Sequence, residues 1–377
     1  MADWTDTKRT DLLRVEMVSA TDPEQSLGWL QGVDASGCSV DAGYYTDCRT
    51  SAKVRVVGDG WVRGSFLRIW HDVPEWGYHE PIGTYLVTND AAERGEGGEW
   101  VYDLTCQGVL YALSTDLLAW PVTRAKGSSA KAGMRYILDT CKRRYVDQGA
   151  NDTNLGSALV METGKSMLSH LYGLCRTSNN RLDVDPRGRV RIEPYVTPGA
   201  KTPVATIDLT DDHGMAQAGT LSRSTDWLGA PSRVAVSFKY TEQVKKGKRT
   251  KSVEREIDAV ADVGALDHRG PAQRGYTITD YRSISDMKPK TKARAQQLAN
   301  SYLKEQNAEL VEWSLKTAYM PLWEGDVVWL NVPDGMDGYR GKRKCLVKAL
   351  TIDCDTWTMD LKLKETASGD KGETDHE

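Results

Sequence analysis

Ser128-Ser129-Ala130-Lys131 has the S-x-x-K spacing in which a lysine can activate a serine nucleophile. The companion S-D-N and K-T-G elements of such enzymes are absent from the sequence, and a serine placed just before a helical pattern is better explained as an N-cap. Gly58-x-Gly60 followed by Gly64 resembles a phosphate-cradling loop, but its third glycine falls one place late. The following Val62–Leu67 also reads as strand rather than helix, so a hairpin turn is expected there. No C-x-x-C, H-E-x-x-H or H-x-x-x-H spacing occurs. His71 and His79 lie in a stretch rich in Pro, Gly and Trp, where a loop histidine needs no ligand role, and no metal or cofactor is implied.

Two features stay open to a binding role. Carboxylates are plentiful, but a glycosidase pair is defined by its separation in space and nothing selects two of them. Trp61, Trp70, Trp76 and Trp100 could stack on sugars, yet aromatic residues at strand positions more often anchor a core or an interface. The sharpest charge feature is Lys245-Lys246-Gly247-Lys248-Arg249-Thr250-Lys251. Lys245, Lys246, Lys248, Arg249 and Lys251 form a candidate partner-contact loop for DNA, an acidic protein or lipid phosphate. A solvated hairpin tip is the simpler reading, since charge at such tips discourages edge aggregation.

The elements that would carry these residues are mainly strands. Short, partly alternating segments run over Leu12–Val18, Ala52–Val57, Ser65–Trp70, Ile82–Thr88 and Trp100–Cys106, a β domain ending near Val122. The period then changes. Met134, Ile137, Leu138, Cys141 and Tyr145 fall on one face of a helix that Gly149 would stop, and a second helix covers about Ser166 to Arg176. Leu182–Ile192 holds two alternating runs around Asp185-Pro186-Arg187-Gly188, a hairpin signal. Ser232–Tyr240 and Ser252–Ala259 read as strands flanking the basic loop, Lys290–Ala308 as a helix, and strands resume to about Glu365. The polar segment from Thr366 to Glu377 is expected to be a mobile acidic tail.

With 377 residues the chain exceeds what one core normally organises, so two or three domains are expected. The net charge of −4 gives no overall basic footprint for a nucleic-acid backbone. Twelve Trp and 16 Tyr against two Phe favour rings with a polar handle, which suits partly wet interfaces. Seven scattered cysteines make no disulfide framework and read as reduced thiols. The first residues carry no basic and apolar export signal, and no apolar run is long enough to span a bilayer, so no membrane anchor is expected.

Laid out in this order, the chain resembles the hub family of tailed-phage tail tips and baseplates over about Leu12 to Glu365. The N-terminal strand is followed by Cys48-Arg49-Thr50-Ser51-Ala52-Lys53-Val54. Glu80-Pro81-Ile82-Gly83-Thr84-Tyr85-Leu86-Val87 is similar to the family's P-[LI]-G-x-[FY]-[LV] strand. The helical insertion, the Leu182–Ile192 hairpin, and Ser222-Arg223-Ser224-Thr225-Asp226 before Pro231-Ser232-Arg233-Val234-Ala235-Val236 follow in order. Met320-Pro321-Leu322-Trp323-Glu324-Gly325-Asp326-Val327-Val328 then resembles the family's P-x-L-x-x-G-D-x-V. In this last motif Pro321 ends a strand, Glu324-Gly325 supplies a turn and Val327 opens an apolar strand.

The resemblance implies a mainly β fold with an α+β insertion and two β-barrel-like hub domains per chain. These would span residues 1–124 and 206–366, with the insertion at 125–205 and the tail at 367–377. It also implies a non-enzymatic virion protein at the tail tip, assembled in the host cytoplasm as a homotrimer that joins a six-fold tube to a three-fold tip. Expected partners are the distal tail ring, the tape-measure protein C-terminus and receptor-binding or fibre proteins, with DNA only in transit through the lumen. A carbohydrate-binding or cell-wall-degrading tip protein is the alternative.

Overall fold

The computed structural model describes the chain except residues 1–3, 5–8, 59, 157, 211–215, 217, 227–229, 247–248, 265–266, 268–269, 285–289, 309–310, 337–338 and 367–377. The expected acidic tail therefore lies outside the described residues.

Seven strands open the chain: β1 (Leu12–Val18), β2 (Ser26–Trp29), β3 (Val33–Gly43), β4 (Thr50–Val57), β5 (Phe66–Val73), β6 (Tyr78–Arg94) and β7 (Trp100–Gly108). The insertion, expected from residue 125, draws in earlier elements, since Leu110, Leu113 and Leu118 share its core: it holds α1 (Leu110–Thr115), β8 (Val122–Arg124), α2 (Ala130–Thr140), β9 (Tyr145–Asp147), β10 (Leu159–Met161), α3 (Met167–Thr177), β11 (Asn180–Val184) and β12 (Val190–Pro194). The remainder comprises β13 (Ala205–Asp208), β14 (Ser222–Thr225), β15 (Arg233–Lys246), β16 (Arg249–Asp262), α4 (Pro271–Arg274), β17 (Thr279–Ile284), α5 (Lys292–Ala308), β18 (Val311–Ala318), β19 (Val327–Met336), β20 (Tyr339–Asp353) and β21 (Thr358–Glu365). The mainly β character with an α+β insertion is as the sequence implies.

One 13-stranded sheet runs through both halves in the order β14-β18-β21-β20-β3-β4-β7-β6-β5-β1-β2, with β19 and β13 branching from β20. The long β20 makes this possible. Its first part pairs with β19, while Ala349–Asp353 pairs antiparallel with Gly43–Ser39 of β3. The alternation visible in β18 and β21 puts Trp313, Leu315, Met359, Leu361 and Leu363 inward. There they share one core with Val40, Val54, Ile69, Tyr85 and Leu104 of the first half. The two halves are therefore fused by both backbone pairing and packing.

Two smaller cores lie outside this sheet. The insertion closes on Leu110, Met134, Ile137, Leu171, Leu174 and Ile192 among others. A three-stranded sheet, β16-β15-β17, packs Val234, Val236 and Phe238 against Ala295, Ala299 and Leu303 of α5. The small alanines of α5 let the helix approach the sheet closely. The sequence reading put this unit inside the second barrel and gave no sign of its separate core.

Several local expectations are corrected. The first insertion helix stops at Thr140, because Lys142 takes φ 51° and turns the chain away, so Cys141 is its C-cap and Tyr145 opens β9. The Gly58–Gly64 segment is no hairpin turn: β4 pairs with β3 and β7 while β5 pairs with β1 and β6, so this stretch crosses between non-neighbouring strands. Val62 is exposed rather than in a strand. His71 and His79 are strand residues of β5 and β6, with His71 opposite Glu80. The basic loop is shorter than expected. Pairing continues through Lys246 opposite Arg249, leaving residues 247–248 between the strands.

Candidate functional site

The S-x-x-K segment resolves as a cap. Ser129 Oγ accepts a hydrogen bond from Ala132 N at 2.9 Å, while Lys131 pairs with Asp147 at 2.6 Å and so is not directed at either serine. The four tryptophans do not converge. Trp70 stacks on His79, Trp76 meets Trp4 edge to face, Arg94 lies over Trp100, and Trp61 packs against the main core. Among the described residues, no three His, Cys, Asp or Glu side chains are grouped to hold a metal ion. Of the basic hairpin residues, Lys248 lies outside the described residues, Lys251 is exposed on β16, and Lys245, Lys246 and Arg249 are placed only by their backbone register.

An open groove of about 560 Å³ lies where the halves join. Its walls come from β3, β4 and β7 on one side and from β20 and β21 on the other, through Lys53, Arg55, Asp103, Thr351, Asp353 and Asp360. Arg55 Nε holds Asp103 at 2.8 Å, and that hydrogen bond keeps the Asp103 carboxyl below its usual value. Asp353 is likewise held low, by the backbone N–H groups of Thr356 and Asp355. Cys38 at the groove wall is buried, and that burial pushes its thiol up to about 11, so it is a poor nucleophile. The groove is thus lined by charged side chains, with Arg55 and Asp103 paired across neighbouring strands β4 and β7.

Beneath the seam sit two buried polar clusters that the sequence reading did not single out. In the first, the insertion docks on the Glu324-Gly325 turn. Arg181 Nη2 donates to the Glu324 carbonyl at 3.2 Å and pairs with Asp183 at 3.2 Å, with its guanidinium 4.8 Å from the Tyr44 ring. Asp183 is also held by Arg191 at 2.9 Å, and Lys201 donates to the Gly325 carbonyl at 2.8 Å. Both Glu324 carboxyl oxygens are buried without a hydrogen-bond partner. Burial first, then the nearby Asp183, pushes this carboxyl well above the carboxylate range. Gly325 has φ 85°, a conformation that favours glycine, and a Cβ there would come 2.2 Å from Arg181 Nη1, so any other residue would also have to displace the guanidinium.

The other end of the same insertion hairpin docks on the first half. Thr84 Oγ1 donates to the Pro186 carbonyl at 2.8 Å, and Arg68, itself paired with Glu16 at 3.3 Å, donates to the Arg187 carbonyl at 3.2 Å. One hairpin therefore braces both halves.

In the second cluster, fully buried His71 stacks on Trp357 at 3.9 Å, with Tyr319, Tyr78 and Trp4 around it. His71 Nε2 lies 2.6 Å from Asp11 Oδ1, while Nδ1 has no partner. The neutral tautomer with hydrogen on Nε2 satisfies this geometry, whereas protonation would bury an unpaired N–H among rings. Burial lowers the His71 pKa against the opposing pull of Asp11. For Asp11, burial acts upward, but hydrogen bonds from His71 and Arg9 hold the carboxyl below its usual value. Because the folded pKa of His71 is depressed, the unfolded chain binds the proton first, and stability is lost as pH falls below about 6.5. Between pH 7.5 and 5.5 the thermal midpoint of the wild type is expected to fall relative to that of His71→Gln, which keeps a donor for Asp11 but does not titrate; the Glu324 carboxyl acts in the opposite direction and is common to both.

No protein-family model and no curated protein sequence matches the chain. Solved structures do. A tail protein from Neisseria meningitidis superposes with TM-score 0.65 at 13% identity, covering 94% of this chain and 96% of that one. The 43 kDa tail protein of prophage MuSo2 from Shewanella oneidensis gives 0.61 at 10% identity, over 94% and 98%. An E. coli component of the type VI secretion system, described as structurally similar to bacteriophage T4 tail proteins, gives 0.51 at 8% identity, over 91% and 78%. With so little identity retained and nearly the whole of both chains superposed, the protein has the fold of phage tail proteins and of their type VI secretion counterpart.

Proposed function

We propose that the chain is the hub of a phage tail tip: a homotrimer that joins the six-fold tail tube and distal tail ring to a three-fold tip, and that gates release of the tape-measure protein and DNA. The observation that carries this reading is the fusion of both halves into one continuous sheet over one core. A subunit that transmits force around a ring needs its two halves to move as one body. On this reading the halves are the two hub domains, three chains supply six of them, and the insertion lies at the periphery.

The sheet ends in β2 and β14 and, on its branch, in β13, each unpaired on one side among the described strands, and such edges favour pairing with another copy. The paired-charge groove and the basic β15–β16 hairpin are the surfaces assigned to neighbouring tail proteins, and the role is mechanical rather than catalytic. Images of the purified chain are expected to show three-fold rings with a central opening. A uniform field of single, ringless particles at all concentrations would remove the hub assignment.

A further inference from the structure

Two thiols face each other across the junction of the halves. The β3–β20 ladder ends on Ser39 opposite Asp353, and the next rung in the same register sets Cys38 opposite Cys354, whose N–H donates to the Cys38 carbonyl at 3.1 Å. At the other end of the ladder Tyr44 N donates to the Lys348 carbonyl, and counting from there in steps of two makes Cys38–Cys354 a hydrogen-bonded rung of the same kind. Such rungs hold their Cα atoms about 5.5 Å apart. That lies inside the window of roughly 4.4–6.8 Å that a disulfide spans. The side chains also point the same way. Cys38 follows the buried face of β3 with Val40 and Ala42, Cys354 that of β20 with Leu350 and Ile352, and all of them enter the core shared by the halves.

Neighbouring thiols do not compete for this pairing. Cys106 lies in the same core but on β7, with β4 between it and β3, and two strand spacings put it at least about 10 Å from Cys38. Cys345 is most of a strand length back along β20. The rung itself sits where the seam can fray. β20 ends at Asp353, Cys38 lies where the β3–β4 register shifts between Asp34 and Ser39, and Cys38, Ser39 and Asp353 all line the open groove. A small molecule in the groove therefore meets the end of the ladder, and opening of one rung uncovers both thiols.

We infer that Cys38 and Cys354 form a redox lock, in which oxidation by a small disulfide closes a covalent link between the two halves. One cysteine, as thiolate, attacks the small disulfide, expels one thiol and leaves a mixed disulfide. The other cysteine then displaces the second thiol as the Sγ–Sγ bond forms. The two protein thiols give up two electrons and two protons, and the small disulfide takes them up as two thiols. Burial pushes the Cys38 thiol up to about 11 and raises that of Cys354 well above its ordinary value, so the closed seam reacts slowly and the link forms through the frayed rung. On the proposed tail reading, a particle leaving its host passes from reducing to oxidising surroundings, the direction that closes the lock. The chemistry belongs to a single chain and stands whether or not that chain forms a ring.

The test incubates the whole protein, purified reduced, with bis(2-hydroxyethyl) disulfide in urea below the unfolding transition. The product is denatured, alkylated and digested for mass spectrometry. A peptide joining Cys38 to Cys354 is expected, two hydrogens lighter than its separate parts. The link ties together residues far apart along the chain and so restricts the unfolded state, and the oxidised protein should melt roughly 5 °C or more above the reduced one. Dithiothreitol should reverse both changes. Cys354→Ala should lose them and Cys106→Ala should keep them, while the peptide map of the wild type decides the matter even where a variant fails to fold. Recovery of Cys38 and Cys354 as alkylated thiols, or as mixed disulfides with the reagent, overturns the inference. So does a link from either to Cys106, or a linked protein no more stable than the reduced one. None of these outcomes changes the mass of the assembly, so failure of the lock is distinguishable from failure of the hub reading.

Discussion

Arg181→Met should destabilise the protein by roughly 3–5 kcal/mol, the range for removing one member of a buried ionic cluster. Four groups meet this guanidinium: the Asp183 carboxylate, the Glu324 carbonyl, the Glu324 carboxyl at 4.0 Å and the face of Tyr44. Deleting the charge leaves Asp183 with Arg191 as its one remaining cation, beside the Val184 backbone N–H, and leaves the turn carbonyl unpaired. The midpoint of denaturant unfolding reads the loss, and loosening of the insertion should appear as faster hydrogen exchange in β11 and β12.

Glu324→Gln should behave in the opposite sense. The raised carboxyl pKa means the folded chain binds this proton more tightly than the unfolded one. Its contribution is therefore complete below about pH 4.5 and is lost as pH rises toward the folded value. The amide mimics the protonated form, so the variant should melt at or above the wild-type temperature at pH 8 and close to it at pH 4.5. A variant that is much less stable at pH 8 would show that the ionised form is the one the cluster needs.

Trp313→Ala is expected to cost about 3–5 kcal/mol, and Trp120→Ala close to nothing. Trp313 is fully buried on β18, where it fills the core shared by the two halves and donates its indole N–H to Glu365 at 3.0 Å. Truncating it opens a cavity at the seam and removes the indole donor to the Glu365 carboxylate. Trp120 projects from the insertion with most of its surface in water. Equal unfolding midpoints for the two variants would mean that the seam core does not hold the halves together.

Period and turn chemistry made much of the fold legible. The two-residue alternation in β18 and β21 marks the inward Trp313, Leu315, Leu361 and Leu363, and the Asp185–Gly188 hairpin closes as its Pro and Gly require. The serine cap of α2 and the turn at Glu324-Gly325 were legible for the same reason.

What escaped the sequence depends on contacts distant along the chain. Nothing local tells that β20 passes from β19 to β3, since either neighbour offers the same backbone ladder. His71 was misplaced in a loop because the aromatic residues that enclose it, Trp4, Tyr78, Tyr319 and Trp357, come from both ends of the chain. Glu324 and Arg181 are 143 positions apart, and an acidic residue in a turn looks solvated until the fold buries it. The one available signal was the glycine after Glu324, fixed by its positive φ and by the guanidinium against it.

The mass of the purified protein in solution, measured by light scattering, tests the central claim most directly. The hub assignment predicts three times the 41.8 kDa of a single chain, held over a range of concentrations. A stable mass of 41.8 kDa throughout that range would contradict it.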